Sequence, residues 1–276
     1  MNSTMKFSVL ASGSTGNAVY IEAGSTKLLV DAGVGIRQLQ AAFQEIAVSG
    51  SELQAVVLTH EHSDHIKGLA AVVRKWDVPI YMSAGTWGNV QQLWKEEEAV
   101  QARHIRSGTV FTLGELVIEP FAISHDAEEP LGFCFYHGED KLVLATDLGY
   151  VNDRIREVTR GAHTFIVESN HDLEMLRTGA YPWHLKRRIL GDKGHLSNDS
   201  ASEFLGDVIS EDTEQVYLAH LSKENNRPEL AVQTVTKGLH DRLRGAEERM
   251  TINMTNPRQP TMLAAVRPSK FQVSAR

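Results

Sequence analysis

The sequence predicts an α+β chain built as a four-layer αββα sandwich, and three features lead there. Two runs of short β-type segments are each followed by segments of helical periodicity, and no internal repeat, low-complexity tract or linker-like stretch divides the 276 residues. Two sheets packed face to face with helices outside both is the simplest way to cover all the apolar faces. One domain is the first expectation, because α/β architectures reach about 250 residues without splitting.

Residues 6–10, 18–23 and 27–30 are β-type runs punctuated by Ser12-Gly13-Ser14-Thr15-Gly16-Asn17 and Gly24-Ser25, as in antiparallel strands joined by tight turns. Ile36, Leu39, Ala42, Phe43 and Ile46 form the stripe of an amphipathic helix over 36–48. Residues 55–58 make a short buried strand that stops at Thr59; 66–76 read as helix, 79–82 as strand and 84–94 as helix. A second meander covers 111–113, 116–123, 131–136 and 141–146, with Gly114-Glu115 and Gly138-Glu139-Asp140 in its turns. Helices are expected near 152–160, 171–178, 182–190, 199–209 and 228–243, and strands at 164–167 and 215–218. A terminal hairpin would pair 250–254 with 261–266 around Pro257 and Pro260, and 267–276 read as a loose tail.

With 42% hydrophobic and 23% charged residues the composition excludes bulk disorder. A net charge of -7 lacks the basic footprint of a protein that coats nucleic acid, so a polyanionic substrate must be attracted locally. The single cysteine, Cys134, rules out an intrachain disulfide framework and reads as a small buried strand residue. No segment has the length and apolarity of a membrane span or a secretory signal, so the expectation is a cytoplasmic protein without membrane contact.

The most informative segment is Thr59-His60-Glu61-His62-Ser63-Asp64-His65, between the strand at 55–58 and the helical pattern from Ile66. In extended backbone, positions two apart face one way, so His60 and His62 can bind one cation together. As the chain turns into the helix, Asp64 and His65 can face a second position beside the first. A site for a pair of ions needs distant donors as well. His125, Asp147 and His220 each follow an apolar strand, where side chains project from the rim of a sheet. Imidazole and carboxylate donors suit zinc, and equally manganese or iron.

The segment His60-x-His62-x-Asp64-His65, preceded by Asp31 in Leu29-Val30-Asp31-Ala32-Gly33, resembles the signature of the metallo-β-lactamase superfamily. That resemblance implies an αββα sandwich with metals at one edge. It implies His60, His62 and His125 on a first ion, Asp64, His65 and His220 on a second, and Asp147 bridging them. More of the chain is similar to the YycJ (WalJ) group of DNA exonucleases. The matching stretches include Ser124-His125-Asp126-Ala127, Thr146-Asp147-Leu148-Gly149-Tyr150, Glu168-Ser169-Asn170-His171-Asp172 and Gly194-His195-Leu196-Ser197-Asn198. They continue through Leu218-Ala219-His220-Leu221-Ser222-Lys223-Glu224-Asn225-Asn226, so that the similarity covers about 7–235. It implies a 5′-to-3′ exonuclease on double-stranded DNA with a part in mismatch repair. A small-molecule phosphodiesterase, or a hydrolase of thioesters or lactones, remains the other enzyme reading, because the fold does not fix the substrate.

A water held between two cations loses a proton near neutral pH, so the expected nucleophile is a bridging hydroxide that attacks phosphorus, with Asp64 orienting it. His195 resembles the non-ligand catalytic histidine of superfamily phosphodiesterases and is expected to act as general acid; the alternative is a polar residue before a helix capped by Ser197 or Asn198. Asp31 is read as a hydrogen-bond acceptor that fixes a ligand, or as a plain turn carboxylate. The Ser12–Asn17 loop would meet phosphate or merely turn the chain. His171 would touch substrate or begin a helix. Lys186-Arg187-Arg188 reads as a solvated helix face, with guidance of a DNA backbone as its functional alternative.

Overall fold

Both meanders form, and each extends into a larger sheet. A computed structural model of the chain describes residues 4–95, 97–243 and 250–268. In the first sheet β1 (Lys6–Ala11), β2 (Ala18–Ala23) and β3 (Thr26–Val30) run antiparallel, and β4 (Ala55–Val57), β5 (Ile80–Met82) and β6 (Ala102–His104) continue it in parallel. In the second, β7 (Phe111–Leu113), β8 (Leu116–Ala122), β9 (Leu131–His137) and β10 (Asp140–Ala145) are antiparallel. There β11 (Thr164–Glu168), β12 (Gln215–Ala219) and β13 (Thr251–Met254) follow in parallel.

The layers follow from the two-residue period of a strand. Leu28 and Val30 of β3 point inward to meet Leu142 and Leu144 of β10 in the core between the sheets. Leu29, between them, points outward into a second core with Leu39, Phe43 and Val72. Those residues belong to α1 (Ile36–Glu45) and α3 (Leu69–Trp76), which cover the first sheet with α4 (Ala84–Val90). On the far side Val143 and Ala145 of β10 pack with Ile155, Phe204 and Val235. These come from α5 (Asp153–Thr159), α8 (Asn198–Val208) and α9 (Pro228–Arg242). Each such buried aliphatic or aromatic side chain contributes about 1.5–3 kcal/mol. Three separate cores between helix, sheet, sheet and helix are the four expected layers.

Three expectations need correction. The segments at 250–254 and 261–266 do not form a hairpin: β13 pairs in parallel with β12, whereas β14 (Ala264–Ala265) pairs antiparallel with β1 in the other sheet. Each sheet has an edge with unpaired backbone groups there, and the two halves of the segment satisfy one edge each. Strand β6 was not anticipated, being only three residues long and without apolar alternation. The helix expected over 66–76 is divided into α2 (Ser63–Ile66) and α3, because the Gly68 amide donates to the Ala32 carbonyl at 2.7 Å rather than continuing α2. Of the expected loose tail at 267–276, residues from 269 onward lie outside the described residues.

Candidate metal centre

The expected metal donors all follow or end strands, while His195 lies between α7 (Trp183–Ile189) and α8. Asp31 follows β3 and the His60–His65 segment follows β4, while Asp147, Glu168 and His220 end β10, β11 and β12. Since β3 and β4 are parallel, as are β10, β11 and β12, each sheet presents these ends at one edge, where α/β sheets place ligands. At Asp31, Asp147 and His220 the backbone takes φ of 59°, 59° and 55°, the left-handed region, at a cost of about 1–3 kcal/mol each. Such strain persists where surrounding bonds hold it. The Asp31 amide donates to the Val57 carbonyl, and the His220 amide to Ser12 Oγ.

The Asp31-Ala32-Gly33 turn grips the histidine segment directly. Ala32 donates to the His65 carbonyl, Asn17 donates to the Asp64 carbonyl, and Gly33 lies so close that a Cβ there would stand 1.7 Å from the Asp64 carbonyl oxygen. Gly33→Ala must therefore push the histidine-bearing turn aside. We expect it to cost about 3 kcal/mol, roughly 6–12 °C of Tm in a chain of this size. A thermal melt checks this, and an unshifted midpoint would contradict the tight packing.

All seven expected donors converge. Ligand atoms of His60, His62 and His125 lie within 4.8 Å of one another, as do those of Asp64, His65 and His220, and those of His60, His65 and Asp147. His62 Nδ1 is 3.2 Å from His125 Nε2, His65 Nε2 is 3.2 Å from Asp147 Oδ2, and His220 Nε2 is 3.5 Å from Asp64 Oδ2.

The far nitrogens of these imidazoles explain the arrangement. His65 Nδ1 donates to Asp31 Oδ2 at 2.8 Å, His125 Nδ1 to the Gly194 carbonyl at 3.2 Å and His220 Nδ1 to Glu168 Oε1 at 2.8 Å. Thr59 Oγ1 donates its proton to Asp31 Oδ2, so it accepts from His60 Nδ1 at 3.0 Å. With Nδ1 protonated on these four rings, each Nε2 keeps its lone pair for a cation, as a metal-ligating histidine requires. Asp31 is thus the acceptor that fixes the segment, and not a plain turn residue.

The site fits divalent cations. His60 Nε2 is buried and has no hydrogen-bond partner among the described residues, an expensive state unless a cation completes it. Burial pushes the His60 imidazole well below its usual range. Burial also opposes the charge on Asp147, yet the His220 and His65 imidazoles hold its carboxyl well below the carboxylate range. Burial likewise acts against a charged His65, but Asp147 and Asp31 lift it to about 10. Without cations, then, protons on the imidazoles balance the buried carboxylates. The fold and these His/Asp clusters mark a divalent-metal site.

Glu168 is the residue that sequence reasoning missed. It is fully buried, and its Oε2 accepts from the Leu148 and Leu196 amides while Oε1 accepts from both His220 Nδ1 and His195 Nδ1, each at 2.8 Å. Burial opposes its charge, but His195 and its other donors bring the carboxyl down to about 2. His195 is held by this bond with Nε2 left for the cavity; burial works against its charged form, and Glu168 raises it above the usual histidine range. Of the two expected caps, Ser197 and not Asn198 caps α8. Glu168→Gln turns one of two oxygens, each accepting two N–H bonds, into a donor, so we expect metal affinity and turnover to fall about 10–100-fold. Metal titration alongside the rate measurement checks both.

The remaining candidates separate. Of the Ser12–Asn17 loop only Ser14 lines the cavity, while Ser12 and Asn17 brace the cage. His171 is buried, has no partner for either ring nitrogen among the described residues and does not line the cavity, so it is not a substrate contact in this arrangement. It precedes Asp172, which caps α6 (Leu173–Thr178). The basic run lies in α7 (Trp183–Ile189) and is not a uniformly solvated face. Lys186 is buried, donating to the Arg177 and Gly179 carbonyls, Arg187 is exposed, and Arg188 lines the cavity and pairs with Asp126. Cys134 is buried in β9, as expected.

Comparison with known proteins agrees with the geometry. Residues 26–221 match the model of the beta-lactamase superfamily domain. The chain is 44% identical over 262 residues to exodeoxyribonuclease YycJ of Bacillus anthracis, covering 95% of this chain and 99% of that protein. It is 39% identical to exodeoxyribonuclease WalJ of Streptococcus pneumoniae serotype 2, covering 95% and 98%. Among solved structures, the metallo-beta-lactamase fold protein YhfI of Bacillus subtilis superposes with a TM-score of 0.71 at 18% identity, over 94% of this chain and 99% of that one, a likeness of fold. With its seven-donor edge and these relatives, the chain belongs to the metallo-β-lactamase superfamily, in the branch of the YycJ and WalJ proteins.

Proposed function

We propose that this protein is a metal-dependent exonuclease that hydrolyses phosphodiester bonds of double-stranded DNA from a 5′ end and serves in mismatch repair. The observation that carries the chemistry is the donor cage with the Glu168-held His195 beside it. The relatives called exodeoxyribonucleases support DNA as the substrate. His60, His62 and His125 would hold one cation, and Asp64, His65 and His220 a second, with Asp147 shared between them. Zinc or manganese suits these donors, and iron is the further candidate. When bound, such cations activate water and neutralise charge on phosphate oxygens. Asp64 orients the attacking water. His195 delivers a proton from Nε2 to the leaving oxygen, and Glu168 both aims the ring and favours its protonated form.

The location we propose is the cytoplasm. Among the described residues no helix is long and apolar enough to cross a membrane. The net charge of -7 favours one other reading, a phosphodiesterase for small esters. Metal-loaded protein assayed on 5′-labelled duplex DNA and on an aryl phosphodiester separates the two. Shortening from the labelled end supports the nuclease; turnover of the aryl ester with intact DNA overturns it.

A further inference from the structure

We propose that the apolar side of the cavity beside the cage, formed by Tyr181, Leu185 and Ile189, seats one unpaired base at the end of a strand, so that a duplex is attacked only after its last pair has opened. The inference rests on the nuclease reading and adds how the end is selected.

The cavity joins two chemistries. Its floor is the cage with His195, and its side is an aromatic ring and two aliphatic side chains from α7 and its approach. On the same rim Arg188 is paired with Asp126, and Lys193 brings positive charge into a protein of net charge -7. A nucleotide has the matching composition, with a flat apolar base at one end and an anionic phosphate at the other.

Size limits what can enter. The cavity holds about 260 Å³, just below the range of about 300–1,000 Å³ usual for small-molecule pockets. A duplex, whose major groove alone is about 12 Å wide, does not fit inside. One nucleotide unit does, provided its base has left the stack.

The wall is fixed to the reactive groups. Lys186 Nζ anchors α7 by donating to the Arg177 and Gly179 carbonyls at 2.7 Å each, and the His195 amide donates to the Ile189 carbonyl at 3.0 Å. A base against Tyr181 therefore places its phosphate at a set distance from the His195 ring.

Opening a terminal pair costs a few kcal/mol, and least where the pair is mismatched. The wild-type enzyme should therefore degrade a duplex with a terminal mismatch or a short unpaired 5′ end about tenfold or more faster than one with a terminal G·C pair, at subsaturating DNA. Base–aromatic stacking is worth about 1–3 kcal/mol, so Tyr181→Ala should raise KM for open-ended DNA by about 5- to 150-fold, and Tyr181→Phe should retain the wild-type value. Equal rates on open and paired ends in the wild type would overturn the inference without touching the nuclease reading, and this comparison needs no variant. An unchanged KM in folded Tyr181→Ala would overturn the base seat. Failure of the wild type to cut any DNA end would instead overturn the nuclease reading itself.

Discussion

Asp147→Asn should lower DNA hydrolysis about a thousandfold, since neutralising phosphate charge is worth several kcal/mol and each 1.36 kcal/mol is a factor of ten. The residue is buried where both halves of the cage meet, with Oδ2 3.2 Å from His65 Nε2 and Oδ1 3.4 Å from His220 Nδ1. An amide is close to a carboxylate in shape, so the fold should survive while the cage loses a buried negative charge. Elemental analysis of the purified variant should find reduced metal, and its circular dichroism should match that of the wild type. Turnover within a few-fold of wild type, at any metal concentration, would remove Asp147 from the centre.

His195→Ala should leave metal content intact and slow DNA hydrolysis about 10²–10⁴-fold, the usual contribution of a positioned general acid. The informative comparison is between leaving groups. The sugar alkoxide of DNA must be protonated as it departs, whereas a nitrophenolate leaves without help. The variant should therefore be far less impaired on bis(p-nitrophenyl) phosphate than on DNA. Equal losses on both substrates would mean that His195 acts by holding the structure, through its 2.8 Å bond to Glu168, and not as an acid.

The site was legible in the sequence where its chemistry is local or marked by residue type. His60, His62, Asp64 and His65 crowd one turn, and the histidines at 125 and 220 stand out at strand ends. Glu168 was not legible as a functional residue although it too ends a strand. A carboxylate after a β-type run looks like any surface residue, and its role exists only because β11 sits between β10 and β12, bringing Leu148, His195 and His220 to its two oxygens. The basic run shows the converse. Three successive charges read as one solvated face, but the helix turns Lys186 inward to the Arg177 and Gly179 carbonyls and Arg188 toward the cavity. The four layers followed from periodicity, whereas the partners of β13 and β14 did not. Nearness in sequence suggested that they pair with each other, and the unpaired edges of the two sheets claimed them separately.

That division has a consequence for how the molecule is made. β1 emerges early from the ribosome, yet its outer backbone groups wait for β14, some two hundred and fifty residues later in synthesis. Until then a nascent chain carries a sticky ribbon that another nascent chain could copy. Pairings so distant along the chain also form slowly. Final closure of both sheets is thus a late event, and a stalled or shortened polypeptide ending before residue 250 would be prone to clump even with every donor of the cage already synthesised.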